Sequence, residues 1–431
     1  MYKMRNYINN KVRAFSLFLI FTLSPLSLLA VSIETDRDWY LAGEAMQVSV
    51  TADNALIAYA ELCDTKGLAA GIMVSLREGK GMGIVELPSS LHSGYYMLSV
   101  YTRNNPNVSQ RLVAVVNPLL KSKDDDISWV EAPLSSPEGD INAGTDEFSI
   151  VNSPFSIKEA EGHIIKARIK NVYEGNTFSA SQILPSLSIV GKQIHYFEGK
   201  MLNDSIAVFY TFGIHGKQPL VLSAMSATGV SLPIEMLSPF ATLLPKQLPH
   251  LVFHYNRSEV EARSLDMQRH QIAIAPAKRE LQLGDYADDT AEEGVPLDYD
   301  ETVFGTKPDL TYNLDEYRQF LTIREVLLEY VLCVSKINQN GTPRLIVRRE
   351  QDFYNSSLPT LVLIDGMPVI DVERLLNYDA RRIHYINIYG GQYTFGNGVY
   401  NGILSFITRS GRLTNYPTEP NVQYLVYEFP E

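Results

Sequence analysis

"LPTLVLIDGMPVIDVERLLNYDARRIHYINIYGG", residues 358–391, fixes the character of the C-terminal part of the chain. "TLVLID" (360–365) is an unbroken apolar run of strand length, as a strand buried on both faces requires. Asp365 and Gly366 follow it, and both residue types accept the left-handed backbone of a tight turn. "VERLLNY" (372–378) predicts a short helix and "RIHYINIYGG" (382–391) a second strand. The order strand, turn, helix, strand is a compact αβ unit. It contains no catalytic dyad and no run of metal ligands. Upstream, "LDEYRQFLTIREVLLEYVLCV" (314–334) places Phe320, Ile323, Val326, Leu327, Tyr330 and Val331 at helical spacing. Thr322 and Glu325 form a capping box within it. "PRLIVRR" (343–349) and "NGILSFITRSG" (401–411) predict strands, the second reached through a glycine-rich loop at 390–402.

This order resembles the plug domain of TonB-dependent outer-membrane receptors. The residues that carry the resemblance are Ile364, Asp365, Gly366 and Pro368, the "INIY" of Ile386–Tyr389, the glycine-rich stretch 390–398, Asn401–Gly402–Ile403, and Thr408 with Gly411. It covers residues 318–413. A receptor of that family continues from its plug into a transmembrane β-barrel. Here Gly411 is followed only by a segment ending "NVQYLVYEFPE" (421–431). The resemblance therefore implies a plug-like module used for binding or docking, in a protein that is not itself a transporter. "ETVFGT" (301–306) resembles the short segment by which some of these receptors engage an energy-coupling protein.

The rest of the chain reads as β. "MQVSVTA" (46–52), "ALIAYAELCD" (55–64), "GIMVSLR" (71–77), "GMGIVELP" (81–88), "GYYMLSVYTR" (94–103) and "RLVAVVNP" (111–118) are strand candidates separated by turn residues, the pattern of a small antiparallel sandwich. Asp36, Arg37, Tyr40, Gly43 and Glu44, with Gly94 and Tyr96 later, resemble the macroglobulin-type β-sandwich. Cys63 lies in a strand, outside the thioester context of a macroglobulin protease trap, and reads as a small buried residue. A second sandwich is expected over 153–250 from "HIIKARIKN", "SIVGK", "SIAVFYTFGI", "PLVLSAMS" and "SLPIEML". "LPHLVFHYN" (248–256) looks extended, which places His250 and His254 too far apart to share a metal.

Bulk properties narrow the function. A length of 431 residues calls for several domains, and 45% hydrophobic with 20% charged residues is the composition of a folded chain. A net charge of −12 without a basic stripe argues against nucleic acid as partner. Two cysteines, Cys63 and Cys333, give no disulfide framework. Lys3, Arg5, Lys11 and Arg13 precede the apolar run Ala14–Ala30 and a small-residue "AVS", which predicts a secretory signal peptide over 1–32.

The expected organisation is a signal peptide (1–32), a macroglobulin-like sandwich (33–118), an acidic linker (119–152), a second sandwich (153–250), a linker acidic after 280 (251–311), a plug-like αβ domain (312–415) and a tail (416–431). The fold class is mainly β with a C-terminal α+β module. Neither a nucleophile elbow nor a phosphate loop is present, and "DDD" (124–126) lacks the spacing of a calcium loop. The expectation is a non-catalytic protein without cofactor or metal. It would act in the periplasm, in association with the outer membrane, by binding an envelope protein. The alternative is an accessory protein capturing a glycan or peptide. Tyr393, Phe395 and Tyr400 are the candidate contacts, as aromatics on a glycine-rich loop. Asp36, Arg37, Tyr40, Gly43, Glu44, Asp365, Gly366, Pro368, Asn401 and Gly402 are expected to be structural.

Overall fold

The computed structural model describes residues 31–105, 107–131, 157–159, 162–173, 175–190, 194–227, 229–278, 304–339, 341–348, 358–395, 398–411, 413, 416–417 and 419–430. Residues 1–30 of the expected signal peptide and the acidic run 280–301 lie outside them, whereas Val31 is buried and Ser32 opens a strand. The chain divides into two compact units, each assembled from two stretches of sequence: Met1–Ala160 with Thr242–Met267, and Glu161–Ala241 with Gln268–Glu431. Both are built mainly of strands.

In the first unit a three-stranded sheet runs in the order Ser32–Thr35, Ala45–Thr51, Lys80–Glu86. It faces a five-stranded sheet ordered Trp39–Leu41, Val108–Val116, Gly94–Tyr101, Ile57–Cys63, Leu68–Ser75. Alternation does its usual work in Ala45–Thr51, where Met46, Val48 and Val50 point into the core. Ile57–Cys63 and Gly94–Tyr101 behave differently, because every residue in them is buried. Such strands must be covered on both faces.

The second cover comes from segments that the sequence presents as linkers. Ile127–Glu131 pairs in parallel with Leu251–Tyr255, and the helix Arg257–Lys278 follows. Leu251, Phe253 and Val260 pack on Leu41, Tyr95, Ala114 and Val116. Val260, Ser264 and Met267 are buried at helical spacing. Residues 119–152 and 251–311 are thus not linkers throughout: 127–131 and 251–278 are regular structure. Composition hid this. Over residues 257–273 most side chains are polar or exposed, and only Val260, Ser264 and Met267 are buried. The aspartates 124–126 serve local structure: Asp125 accepts from the Ser93 and Ser122 N–H groups, and Asp126 faces His250.

In the second unit two four-stranded sheets form the expected second sandwich. One is ordered Lys200–Met201, Ile206–Thr211, His163–Ile169, Ile234–Met236. The other is ordered His195–Glu198, Ile183–Ile189, Gly216–Ser226, Gln423–Phe429. The last strand corrects the reading of 416–431 as a tail. It pairs residue by residue with Gly216–Leu222, so the sandwich is completed from the far end of the chain. Tyr427 is buried beneath it, with its hydroxyl 2.7 Å from Nε2 of His163 on the other sheet.

The αβ module of the same unit is a five-stranded sheet ordered Leu310–Asn313, Ile383–Phe395, Gly398–Thr408, Leu361–Ile364, Met367–Pro368. Leu361–Ile364 is buried throughout and runs parallel to Gly398–Thr408, with the helix Val372–Leu376 in the connection. The helix expected over 314–334 is much shorter, Ile323–Glu329. Its capping box fixes the start: Thr322 accepts from the Glu325 N–H, and Glu325 reaches back to the Thr322 N–H at 3.0 Å. Phe320 and Val331 therefore pack from outside the helix, on either side of it.

Asp365 and Gly366 form a two-residue hairpin turn with φ of 46° and 85°, the left-handed pair of a type I′ turn. A Cβ on Gly366 would sit 2.4 Å from Cγ2 of Ile194. Gly366→Ala should destabilise the second unit by about 2–4 kcal/mol, combining backbone strain with overpacking. Gly341 has a φ of 83° with nothing within 4 Å of its Cβ position. Gly341→Ala should therefore cost only about 1–2 kcal/mol. Urea unfolding of the two variants followed by circular dichroism checks the difference. Equal costs would show that the Ile194 contact yields freely.

Candidate functional site

Ile383–Phe395 and Gly398–Thr408 are longer than their neighbours. Leu310–Asn313 reaches only Ile388, and Leu361–Ile364 reaches only Ile403. Beyond those residues the two long strands continue as a two-stranded arm, pairing Gln392 with Asn401, Tyr393 with Tyr400, Thr394 with Val399 and Phe395 with Gly398. Apart from each other, these residues have no strand partner among the described residues. The stretch 390–402, expected as a loop, is therefore mostly strand. Glycine is required at 402, where φ is 82°, and a bulge lies between Tyr389 and Gln392.

The arm is not uniformly exposed. Tyr400 is buried at 4% exposure in a cluster with Phe304, Leu361, Leu363, Tyr389 and Ile403. Tyr393 packs partly against the same cluster, and its hydroxyl lies 3.3 Å from Oγ1 of Thr306. The side chain of Phe395 lies outside the described residues. Of the three candidate contacts, Tyr400 is a core residue and Tyr393 is half-buried. Phe304, from the segment resembling an energy-coupling contact, packs edge-on against Tyr389 at 5.1 Å.

Beneath the arm lies a group that sequence reasoning missed. Glu198 ends the strand His195–Glu198, and both its carboxylate oxygens are buried with no hydrogen-bond partner in good geometry. A Cβ on Gly398 would lie 2.6 Å from each of them, so glycine at 398 is what lets the arm approach. Burial drives the Glu198 pKa up to about 7, and the nearby Gly398 N–H and Tyr400 hydroxyl offset only part of that shift. Tyr196 neighbours Tyr400 and Ser186, and burial holds both tyrosines neutral far above their ordinary range. The set can bind and release a proton near neutral pH. The only clue in the sequence is "HYFEG" (195–199), where Tyr196 and Glu198 share one face of a strand.

The remaining motif residues hold structure. Asp36 accepts from the Tyr40 hydroxyl at 2.5 Å and the Gln47 N–H at 3.0 Å. Glu44 accepts from the Leu41 N–H and from two nitrogens of Arg263, whose guanidinium lies 3.7 Å from the centre of the Trp39 ring. Arg37 completes this set beside Asp36 and Glu44, and Gly43 makes the turn at φ 96°. Asp365 is buried and accepts from the Thr408 N–H, the Thr408 hydroxyl and the Leu413 N–H. Burial raises its pKa, and those three donors work against the shift. Pro368 pairs with Leu363, and the Asn401 N–H donates to the Pro359 carbonyl.

Two further buried carboxylates bind segments of the first unit together. Glu159 accepts from Nη1 of Arg103 at 2.8 Å and from the Tyr59 hydroxyl at 2.6 Å. Glu61 accepts from the Tyr101 hydroxyl and from the Thr242 and Leu243 N–H groups. Among the described residues no group of three side chains is placed to hold a metal ion, and no helix is long and apolar enough to cross a membrane.

No protein-family model matches the chain, and no curated protein matches it. Among solved structures it is similar to Escherichia coli alpha-2-macroglobulin activated by porcine elastase, with 11% identity over 48% of this chain and 20% of that one, at a TM-score of 0.18. The native conformation of the same macroglobulin gives 9% identity over 51% and 15%, also at 0.18. The fibronectin(III)-like modules of Clostridium thermocellum CbhA give 9% identity over 53% and 96%, at 0.14. The chain spans a fifth or less of the macroglobulins' length. These weak neighbours are macroglobulin-like and fibronectin-like sandwiches and give no support to a plug-domain relation. At such scores they carry no argument, and the description as tandem sandwiches rests on the sheets themselves.

Proposed function

We propose that this is an exported, envelope-associated protein without catalytic activity, which binds another protein through its C-terminal plug-like module. The observation that supports this reading most is the two-stranded arm, Gln392–Phe395 with Gly398–Asn401. A two-stranded arm that runs past the end of its sheet can take an added strand along its outer edge, and its side chains supply selectivity. The periplasm is the proposed compartment, and an outer-membrane or periplasmic protein the proposed partner.

The test is cross-linking of the tagged protein in its native cells, followed by mass spectrometry. Under this reading an envelope protein is captured, and the double variant Tyr393→Ala with Phe395→Ala lowers its yield at least several-fold while the unfolding transition stays in place. Capture that the double variant leaves unchanged would remove the arm from the interface. Absence of any envelope protein above background would instead favour capture of a soluble glycan or peptide.

A further inference from the structure

Glu198 sits where a charge is least affordable. Its oxygens are buried against the backbone of Gly398, and no cation pairs with it among the described residues. Ser186 pairs with Glu198 across the sheet, Tyr196 lies on the same strand face, and Tyr400 and the Gly398 N–H face it from the arm. His195 points the other way and stacks on Phe197. The surrounding groups thus offer hydroxyls and one amide, but no positive charge. A neutral carboxyl suits this site and a carboxylate does not.

We propose that Glu198 is a proton-controlled latch, holding the strand Gly398–Thr408 against the strand His195–Glu198 when protonated and releasing it when ionised. Release uncovers Tyr400 and lengthens the free part of the arm, so ionisation switches the arm toward its partner. This last step rests on the reading of the arm as the contact surface; the latch itself does not.

The direction of the pH effect follows from linkage. The folded carboxyl holds its proton up to about pH 7, whereas a freely exposed glutamate loses it near 4.5. The closed state is therefore fully favoured below pH 4.5, loses ground as the pH rises, and is weakest above 7. Each pH unit within that window changes the closed-to-open ratio by up to about tenfold.

Hydrogen exchange of the full chain, corrected for intrinsic rates, tests the latch at the amides of Val399–Ile403 between pH 5 and 8. Their protection should fall by about tenfold or more in the natural protein. In Glu198→Gln, which is neutral at every pH, it should stay level. Protection that is flat in the natural protein overturns the proposal, as does an equal fall in the variant. If Glu198→Gln fails to fold, the natural protein's profile still decides, because a fall that does not level off near pH 7 excludes this carboxyl. Partner capture at pH 5.5 and 8 is read separately. Protection that falls while capture stays constant sustains the latch and overturns the arm as contact.

Discussion

Arg103→Met is expected to destabilise the first unit by about 3–5 kcal/mol, because it strands the Glu159 carboxylate in the interior. Arg103 and Glu159 are each 3% exposed at the side chain and meet at 2.8 Å. The guanidinium also lies 4.6 Å from the centre of the Tyr59 ring. The interaction fastens 157–159 to the sheet face that Tyr59 and Tyr101 line. The protein carries a convenient reporter. Its two tryptophans, Trp39 and Trp129, both belong to this unit, so fluorescence follows the unit's unfolding selectively. The urea midpoint should fall by roughly 1–2 M. The double variant Arg103→Met with Glu159→Leu should recover much of the loss, since an apolar pair of similar size avoids burying charge. A single-variant cost below about 1 kcal/mol would mean that water reaches the pair and that it does not hold the segment.

Tyr427→Ala should cost the second unit about 3–5 kcal/mol. Tyr427 is 6% exposed, stacks on His163 at 5.7 Å and meets Phe429 edge-on at 4.9 Å. Removing it empties the space between two sheets at the place where the C-terminal strand closes the sandwich. Tyr427→Phe keeps the ring and loses the contact with His163, so it should cost only about 1 kcal/mol. The second unit contains no tryptophan. Far-UV circular dichroism should therefore shift while the fluorescence transition stays in place. A cost for Tyr427→Ala no larger than that for Tyr427→Phe would show that the terminal strand contributes little to the sandwich.

Local chemistry explains which parts of the fold were legible. Met46, Val48 and Val50 alternate with polar residues, so their strand and its inward face follow from period two alone. Asp365–Gly366 turns because Asp-Gly is one of the few pairs that readily take two successive left-handed residues. Thr322 and Glu325 fix the start of a helix, but nothing nearby marks its end, and the apolar spacing through Val331 overstated its length. The helix at 257–278 was illegible because one narrow stripe of contact leaves a polar pattern.

The candidate site was legible only in part. Tyr393 and Tyr400 stand out in the sequence, yet Tyr400 is core because Phe304, Leu361, Leu363, Tyr389 and Ile403 gather around it. Glu198 carries no signal of its own, since an acidic residue at a strand end is ordinary surface chemistry until something covers it. The sequence alone thus determined the β character of the chain, the turns and the αβ unit, because those depend on neighbours within a few residues. Tertiary structure alone decided that 251–260 covers the first sandwich, that 423–429 completes the second, and that Glu198 is sealed beneath Gly398. Those outcomes depend on burial by segments far away in the chain, and local periodicity contains no information about which distant surface will exclude water.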